Sequence, residues 1–240
     1  MPKTKRDNGR KKSQKRGMAQ TKGQQEVEAQ SINQQKYLDS IFHNDITISI
    51  GPAGTGKSYL ACYMATKALK KGVVDKIILT RPIVDVGGER MGFLPGDVDE
   101  KFDPYLRPFY DCFDEFIGGG KFKQLIREGI IQAVPLAHMR GTTMKRAFVL
   151  LDEAQNTNPV QMKMFLTRFG KDSRYVINGD ITQTDLRSNE TSGLSDAIDR
   201  IINIEGIGFI KFTLEDVVRH DLVRQILERY SDEEAGDKTV

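Results

Sequence analysis

The feature that most constrains this chain is the glycine-rich segment GPAGTGKS at residues 51–58. A β-branched run at 46–50 precedes it, and a helical pattern follows it, in which Leu60, Met64 and Ala68 recur on one face. Glycines allow the positive φ angles that turn successive backbone N–H groups inward, toward the positive end of a following helix. A strand, a tight turn and a helix in this order predict a binding site for a polyphosphate.

The segment matches the phosphate-loop pattern G-x-x-x-x-G-K-[ST], whereas the dinucleotide fingerprint G-x-G-x-x-G has its glycines in a different order. The flanking strand and helix argue against a chance match. We expect Lys57 to reach the β- and γ-phosphates of a nucleotide and the Ser58 hydroxyl to bind Mg²⁺. The predicted nucleotide-binding residues of this segment are Gly51, Pro52, Ala53, Gly54, Thr55, Gly56, Lys57, Ser58 and Tyr59.

Strand and helix patterns alternate through most of the chain. Strands are predicted at 46–50, 76–80, 130–136, 147–151, 175–178 and 207–212. Helices are predicted at 58–71, 105–117, 159–169, 192–203 and 216–230, and a further helical pattern begins near Asn33. Nearly continuous apolar strands separated by helices predict an α/β fold, with a mostly parallel sheet and helices on both faces. Ligands of such folds bind beyond the carboxyl ends of the strands.

Two adjacent acids follow the apolar strand at 147–151. Asp152, at the strand tip, is predicted to hold Mg²⁺, and Glu153 to orient and deprotonate an attacking water. Acidic residues often follow strands as helix caps, so this pair indicates a metal and water site only in combination with the upstream phosphate loop. The adjacency of the two acids favours hydrolysis over storage of a nucleotide. Gln183 follows the next strand, where it can hydrogen-bond both the γ-phosphate and the water; the alternative is a plain polar turn at 179–183.

The net charge of +3 conceals a split between the N-terminus and the rest of the chain. Residues 1–22 hold nine Lys or Arg and one acid, so the remainder carries five more acids than bases. We expect residues 1–30 to be a basic disordered arm, because it has too few apolar groups to offset the entropy of ordering. Residues 31–230 would form one domain and 231–240 an acidic tail. The arm either binds nucleic-acid phosphates or is a solvated tail.

Composition excludes several classes of protein. No apolar run approaches the roughly 20 residues of a membrane helix, and the basic N-terminus lacks the apolar core of a secretory signal. Cys62 and Cys112 lack the spacing of a disulfide framework or a zinc site, which favours a reducing compartment. The histidines at 43, 138 and 220 do not cluster. We therefore expect a cytoplasmic protein with no membrane partner.

These segments in combination resemble the PhoH family. The resemblance covers about residues 30–230 and rests first on GPAGTGKS at 51–58, DEAQN at 152–156, GDITQ at 179–183 and DVVRH at 216–220. Further matches are TRP at 80–82, GFLPGD at 92–97, DPYLRP at 103–108 and MRG at 139–141. The resemblance implies a RecA-like P-loop NTPase fold, related to the core of superfamily 1 helicases, and ATPase activity that uses ATP and Mg²⁺.

The resemblance also implies roles for residues away from the phosphate loop and the acidic pair. Gln34 would read the adenine edge, and Tyr37 would stack nearby. Arg219 is similar in position to an arginine that stabilises transition-state charge, and the alternative is a solvated residue at the start of a helix. Arg81 and Arg140 would contact phosphate or nucleic acid, or form structural salt bridges.

The length of the chain bears on its assembly. About 185 residues, from the first strand to the last helix, suffice for one of the two domains that superfamily 1 helicases close around a nucleotide. We therefore expect a homo-oligomer with ATP at subunit boundaries and Arg219 given in trans, and the family likeness suggests a hexameric ring. The likeness also suggests RNA or single-stranded nucleic acid and an endoribonuclease as partners. Longer bacterial members carry an extra N-terminal domain, so this chain looks like a compact viral or minimal form, in a host cytoplasm if viral.

Three functions stay open at this point. The first is an RNA-associated ATPase, with helicase activity as its strongest form. The second is a nucleotide-loaded switch or scaffold that hydrolyses slowly and recruits a nuclease. The third is a small-molecule kinase, which shares the phosphate loop but has no need of the Glu153–Gln183 pair for handling water.

Overall fold

Six short apolar runs form one parallel sheet. The computed structural model of the chain describes residues 26–82, 98–186 and 190–218. The strands are β1 (Ile46–Ile50), β2 (Lys76–Thr80), β3 (Ile131–Ala133), β4 (Ala147–Leu151), β5 (Arg174–Gly179) and β6 (Ile207–Lys211). They pair in the order β3-β2-β4-β5-β1-β6, and every pairing is parallel. The predicted α/β fold with a parallel sheet is confirmed.

The helices of the described residues cover both faces of this sheet. They are α1 (Ile32–His43), α2 (Lys57–Lys70), α3 (Val98–Ile117), α4 (Gly119–Arg127), α5 (Pro159–Leu166) and α6 (Gly193–Ile201). Helices α1 to α4 pack on one face and α5 and α6 on the other. None of the helices within the described ranges is both long enough and apolar enough to cross a membrane.

Successive side chains of each strand point to opposite faces of the sheet, so the strands contribute to a hydrophobic core on each face. On β2, Leu79 packs with the helices α1 to α4, and Ile78 packs with α5 and α6. A strand that is covered on both faces must be apolar throughout, and all five residues of β4 are buried. Because β4 has no polar side chain, the first residue along it that could bind a ligand or take part in catalysis is Asp152, directly after the strand.

The strand order brings the phosphate loop close to Asp152. β5 lies between β1 and β4, with Ile50 opposite Gly179 and Leu151 opposite Ile177. In a parallel sheet all carboxyl ends meet at one edge, so the segments that follow β1, β5 and β4 are neighbours there. All three predicted site segments therefore lie along this edge.

Several predicted boundaries differ from the structure. The strand predicted at 130–136 is only three residues long, because Pro135 has no N–H to continue the ladder and a 3-10 turn, Leu136–Met139, follows. The helix predicted at 105–117 begins at Val98 and passes through Pro104. The packing of this helix against α2 outweighs the loss of the backbone hydrogen bonds that Pro104 and Pro108 cannot donate.

Helix α4 is absent from the sequence prediction. Its first residues are glycines, which are poor helix formers, so propensity argues against a helix here. The helix forms because Phe122 and Leu125, three residues apart, are both buried against the α1–α4 core. That spacing was the sequence signal that could have revealed it.

The first residues of the packed chain and the start of the final helix differ from what we expected. Val27 packs against the core and the Gln30 N–H donates to the Gln34 side chain at 2.7 Å, so the packed chain begins before residue 31. The final helix was predicted to start at Asp216, but Asp216 ends a 3-10 turn and Val217 is extended. Residues 1–25 and 219–240, which hold most of the basic arm, most of that helix and the acidic tail, lie outside the described residues.

Asp216 joins these two ends. Its carboxylate accepts hydrogen bonds from the Ser31 hydroxyl at 2.6 Å, the Asn33 amide at 2.8 Å and the Thr213 N–H at 2.8 Å. Burial acts to raise the pKa of Asp216, but these hydrogen bonds together outweigh it and hold the pKa below its ordinary value. The ionised carboxylate is therefore the form that the fold stabilises.

Asp216→Asn is expected to lower the free energy of unfolding by about 1–3 kcal/mol at neutral pH, because an amide cannot accept all these hydrogen bonds. A carboxyl whose pKa is lowered by folding stabilises the protein above its unfolded pKa of about 3.9, and loses that effect as pH falls through the folded value. The gap between wild type and variant should therefore narrow below about pH 4 in urea unfolding. Asp39→Asn, an exposed change, is the control, and a gap independent of pH would contradict the assignment.

Candidate nucleotide site

The loop between β1 and α2 has the conformation that its glycines predict. Gly51, Gly54 and Gly56 have φ angles of 144°, 84° and 82°. A Cβ atom on Gly51 would lie 2.6 Å from Cβ of Phe212, so the neighbouring strand also requires glycine there. Gly56 is the N-cap of α2, and the N–H groups at the start of that helix face the loop as an anion site would need.

Lys57 lies across this loop. Its ammonium donates to the carbonyl oxygens of Gly51 at 2.7 Å and Pro52 at 2.8 Å. Burial lowers the pKa of Lys57, while the carboxylates of Asp152, Asp180 and Glu153 act in the opposite direction. A desolvated cation at the N-terminus of α2 is suited to a polyphosphate.

The Ser58 hydroxyl is in contact with the Asp152 carboxylate. Its Oγ lies 3.0 Å from Oδ1 and 3.1 Å from Oδ2, and Asp152 is only 4% exposed. A hydroxyl and a carboxylate are the hard oxygen ligands that Mg²⁺ prefers. The structure thus brings together the two residues that the sequence singled out for the metal, although they are 94 positions apart.

Arg81 occupies the other side of Asp152. Its Nη2 lies 2.6 Å from Oδ2 of Asp152, and its guanidinium carbon lies 4.8 Å from the centroid of the Phe109 ring. Of the alternatives that we left open for Arg81, the structure shows the salt bridge. Arg140, which follows the 3-10 turn after β3, is exposed.

Glu153 has a strained backbone and an exposed side chain. Its φ is 54°, a left-handed value that a non-glycine residue seldom adopts without a compensating role. Oε2 of Glu153 accepts a hydrogen bond from the Gln155 amide at 2.8 Å.

Gln155 connects the segments that follow β4 and β5. The same amide nitrogen donates to the Gln183 carbonyl at 3.0 Å, and its Oε1 accepts from the Asp180 N–H at 3.0 Å. Gln155 is 2% exposed, so these contacts are shielded from water. It holds Glu153 near the backbone of Gln183, whose own side chain is exposed.

Asp180 is a residue of this edge to which sequence analysis gave no role. Its Oδ1 accepts from the N–H and hydroxyl of Thr182, and its buried Oδ2 has no hydrogen-bond partner among the described residues. Asp180 follows β5 as Asp152 follows β4, and that parallel was the available signal. It adds a further carboxylate close to Lys57.

The two residues assigned to the base, Tyr37 and Gln34, are both buried. Tyr37 is fully buried: its ring packs edge-on against Phe212, and its hydroxyl donates to Asn178 at 2.6 Å. The expectation that Tyr37 stacks on a base is therefore wrong, because its ring is packed inside the core. Gln34 is buried against the loop, where its amide donates to the Thr55 carbonyl at 3.1 Å.

Tyr59 and Arg219 complete the predicted set. The Tyr59 hydroxyl donates to Glu115 at 2.8 Å, and burial is the main cause that raises the pKa of Tyr59 to about 12. Tyr59 thus faces α3. Arg219 lies outside the described residues, but the Val218 N–H, one position before it, donates to the Gly54 carbonyl at 2.9 Å. The described chain therefore ends against the phosphate loop.

A parallel sheet, a glycine-rich loop leading into α2 and a carboxylate opposite Ser58 define a P-loop NTPase type of α/β protein. The model of the PhoH family, described as "PhoH-like protein", matches residues 26–231. The chain belongs to the PhoH family.

Relatives agree with this assignment. The chain is 50% identical over 204 residues to a PhoH-like protein of Bacillus subtilis and 48% identical over 217 residues to one of Synechocystis, covering 85% and 90% of this chain. It is 43% identical over 205 residues to Protein PhoH of Escherichia coli K12, again 85% of this chain. These matches span only 64%, 66% and 58% of the relatives' own lengths.

A solved structure, that of the Pif1 helicase from Candida albicans, is similar at a TM-score of 0.37 with 13% identity, over 78% of this chain and 40% of that chain. So loose a similarity carries no functional argument.

Replacing Gln155 by Leu is expected to destabilise the protein by about 1–3 kcal/mol, because the Asp180 N–H and the Gln183 carbonyl lose a shielded partner. Urea unfolding measures the change. Gln35→Leu, which removes an exposed hydrogen bond to Asp39, is the matched control and should cost far less. Equal stability of the two variants would show that Gln155 does not hold the two segments together.

Proposed function

We propose that this protein is an ATPase that binds ATP and Mg²⁺ at the carboxyl edge of its sheet and hydrolyses the γ-phosphate. The observation that carries the proposal is the contact of Ser58 with Asp152 beside the phosphate loop; the next residue, Glu153, is hydrogen-bonded to Gln155. The resemblance of the loop to other nucleotide-binding loops supports ATP as the ligand.

The residues present fit Mg²⁺. Sites for this ion in nucleotide enzymes use one or two carboxylates, and substrate phosphates and waters complete the shell. Ser58 and Asp152 supply a hydroxyl and a carboxylate, and no group of three His, Cys, Asp or Glu that could hold a metal occurs in the described part of the chain. When bound, Mg²⁺ supplies charge that offsets the charge on the phosphates.

Each remaining residue has a separate role. The loop N–H groups and the Lys57 ammonium bind the β- and γ-phosphates. Glu153 accepts a proton from the attacking water, and the exposed side chain of Gln183 hydrogen-bonds the γ-phosphate and that water. The connection through Gln155 favours hydrolysis over phosphate transfer to a small molecule, because it holds the base and the segment of Gln183 in fixed relation.

We further propose that hydrolysis is coupled to RNA or single-stranded nucleic acid in the cytoplasm, with duplex unwinding as its strongest form. The nine cations of residues 1–22 support sequence-independent binding of phosphates. The second candidate is a slowly hydrolysing switch that recruits an endoribonuclease, favoured by the exposure of Glu153, which leaves the proposed base in contact with solvent.

We propose also that the site is completed by a neighbouring subunit in a homo-oligomer, with a hexameric ring as the expected form. The proposal rests on the family resemblance, by which Arg219 would serve the nucleotide of the next subunit; the Val218 N–H itself donates to the Gly54 carbonyl of its own phosphate loop. An arginine given in this way accelerates phosphoryl transfer by roughly 10³- to 10⁵-fold in comparable enzymes.

Glu153→Gln is expected to abolish phosphate release while ATP still binds, because the amide cannot accept the proton of the water. Phosphate release and binding of a fluorescent ATP analogue are measured on one preparation. Lys57→Ala, which should lose both, is the blank. Wild-type hydrolysis by Glu153→Gln would rule out the assigned base. The same assay with single-stranded RNA, single-stranded DNA or no polymer separates a motor, which the polymer strongly stimulates, from a switch, which it does not.

Coexpression of Arg219→Ala and Glu153→Gln subunits should restore ATPase activity that neither variant has alone. In mixed oligomers some sites combine an intact Glu153 from one subunit with an intact Arg219 from its neighbour. A mixture of Lys57→Ala and Glu153→Gln is the control and should stay inactive, because both residues belong to the same subunit's site. Absence of complementation, or full activity of Arg219→Ala alone, would contradict the arrangement.

A further inference from the structure

We propose that Arg81 competes with the metal for the Asp152 carboxylate, and so sets the Mg²⁺ concentration at which the protein binds nucleotide. The inference deepens the proposed function and rests on it, because it takes Asp152 as a ligand of Mg²⁺. It concerns a residue at the end of β2, outside the loop and the acidic pair.

Arg81 and Ser58 share the same carboxylate. Oδ2 of Asp152 accepts from Nη2 of Arg81 at 2.6 Å and from the Ser58 hydroxyl at 3.1 Å, and Oδ1 accepts from that hydroxyl at 3.0 Å. The Asp152 side chain is 6% exposed and that of Arg81 is 16% exposed, so water screens this pair little. An arginine in this position occupies the oxygen that a cation beside Ser58 would need.

The fold holds Arg81 at this point. Thr80 is opposite Leu151 in the β2–β4 register, so the residues that follow them, Arg81 and Asp152, leave the sheet side by side. The guanidinium also lies over the ring of Phe109, which is fully buried in α3. A cation–π contact of this kind keeps the charge close to the edge even when the carboxylate is engaged elsewhere.

The ion pair with Asp152 satisfies only part of the hydrogen-bonding capacity of Arg81. Nε of Arg81 is buried and has no hydrogen-bond partner among the described residues, so only part of its donor fork is satisfied. An exchange of partners at Asp152 therefore breaks one ion pair and not a closed network. Replacing Arg81 by Mg²⁺ at Asp152 costs the free energy of this ion pair, so a higher Mg²⁺ concentration is needed for the protein to bind nucleotide.

The test is the Mg²⁺ dependence of binding of a fluorescent, non-hydrolysable ATP analogue to the full chain. In Arg81→Gln the half-saturating Mg²⁺ concentration should fall by about tenfold, the scale of one charge-assisted hydrogen bond. Arg146→Gln is the matched control. It breaks an exposed Arg–Asp pair, Arg146 with Asp75, before β4 and β2 at the opposite edge, and should leave the Mg²⁺ dependence unchanged.

Arg81→Lys is the second variant and covers the case that Arg81→Gln does not fold, as judged by circular dichroism. A lysine keeps the charge but loses the planar fork, so the Mg²⁺ requirement should fall by a smaller factor. A merely structural role for Arg81 would lower stability without moving this concentration.

Two results would overturn the inference. One is an unchanged or higher Mg²⁺ requirement in folded Arg81 variants. The other is weaker binding of the analogue at saturating Mg²⁺ with the same Mg²⁺ dependence, which would make Arg81 a phosphate ligand. If the wild type itself shows no Mg²⁺-dependent binding, the proposed function fails; if it does and Arg81→Gln follows it, only this inference fails.

Discussion

The contact between Ser58 and Asp152 depends on one constraint, the parallel order of three strands. β1 delivers the phosphate loop and β4 delivers Asp152 to the same edge, with β5 between them as a spacer. All five residues of β4 are apolar and buried, so the first polar group on its path is Asp152, while two buried polar side chains of β1 and β5, Ser49 and Asn178, are hydrogen-bonded to each other inside the core. The site is thus a consequence of the way in which the sheet is covered.

The edge is a balance of buried charges. Asp152 and Asp180 are carboxylates that water hardly reaches; Arg81 pairs with Asp152, and Lys57 interacts electrostatically with both. Buried charges need an ion pair or hydrogen bonds: Asp152 pairs with Arg81, Asp180 accepts from Thr182, and Lys57 donates to backbone carbonyls of its own loop. A ligand that combines phosphates with a divalent ion suits this arrangement, because the phosphates attract the cations and the divalent ion attracts the carboxylates.

Much of the fold and the centre of the site could be predicted from sequence, and the failures have physical reasons. The phosphate loop and the strand before Asp152 are local patterns, and they lie where we expected them. Tyr37 was assigned to a base on the family resemblance, which does not show which face of α1 meets the core, and its ring is buried. Helix α4 was missed because packing of Phe122 overrides the poor propensity of its glycines.

The sequence by itself determined where the six strands lie, although it made β3 too long, and it determined the positive φ angles of the loop and the chemical nature of the groups at the sheet edge, since these depend mainly on neighbouring residues. Tertiary structure alone decided which of these groups meet. Gln155 joining Glu153 to the segment of Gln183, and Arg81 pairing with Asp152, follow from strand order and register. Contacts between residues far apart in the chain require the closed sheet, which no local pattern encodes.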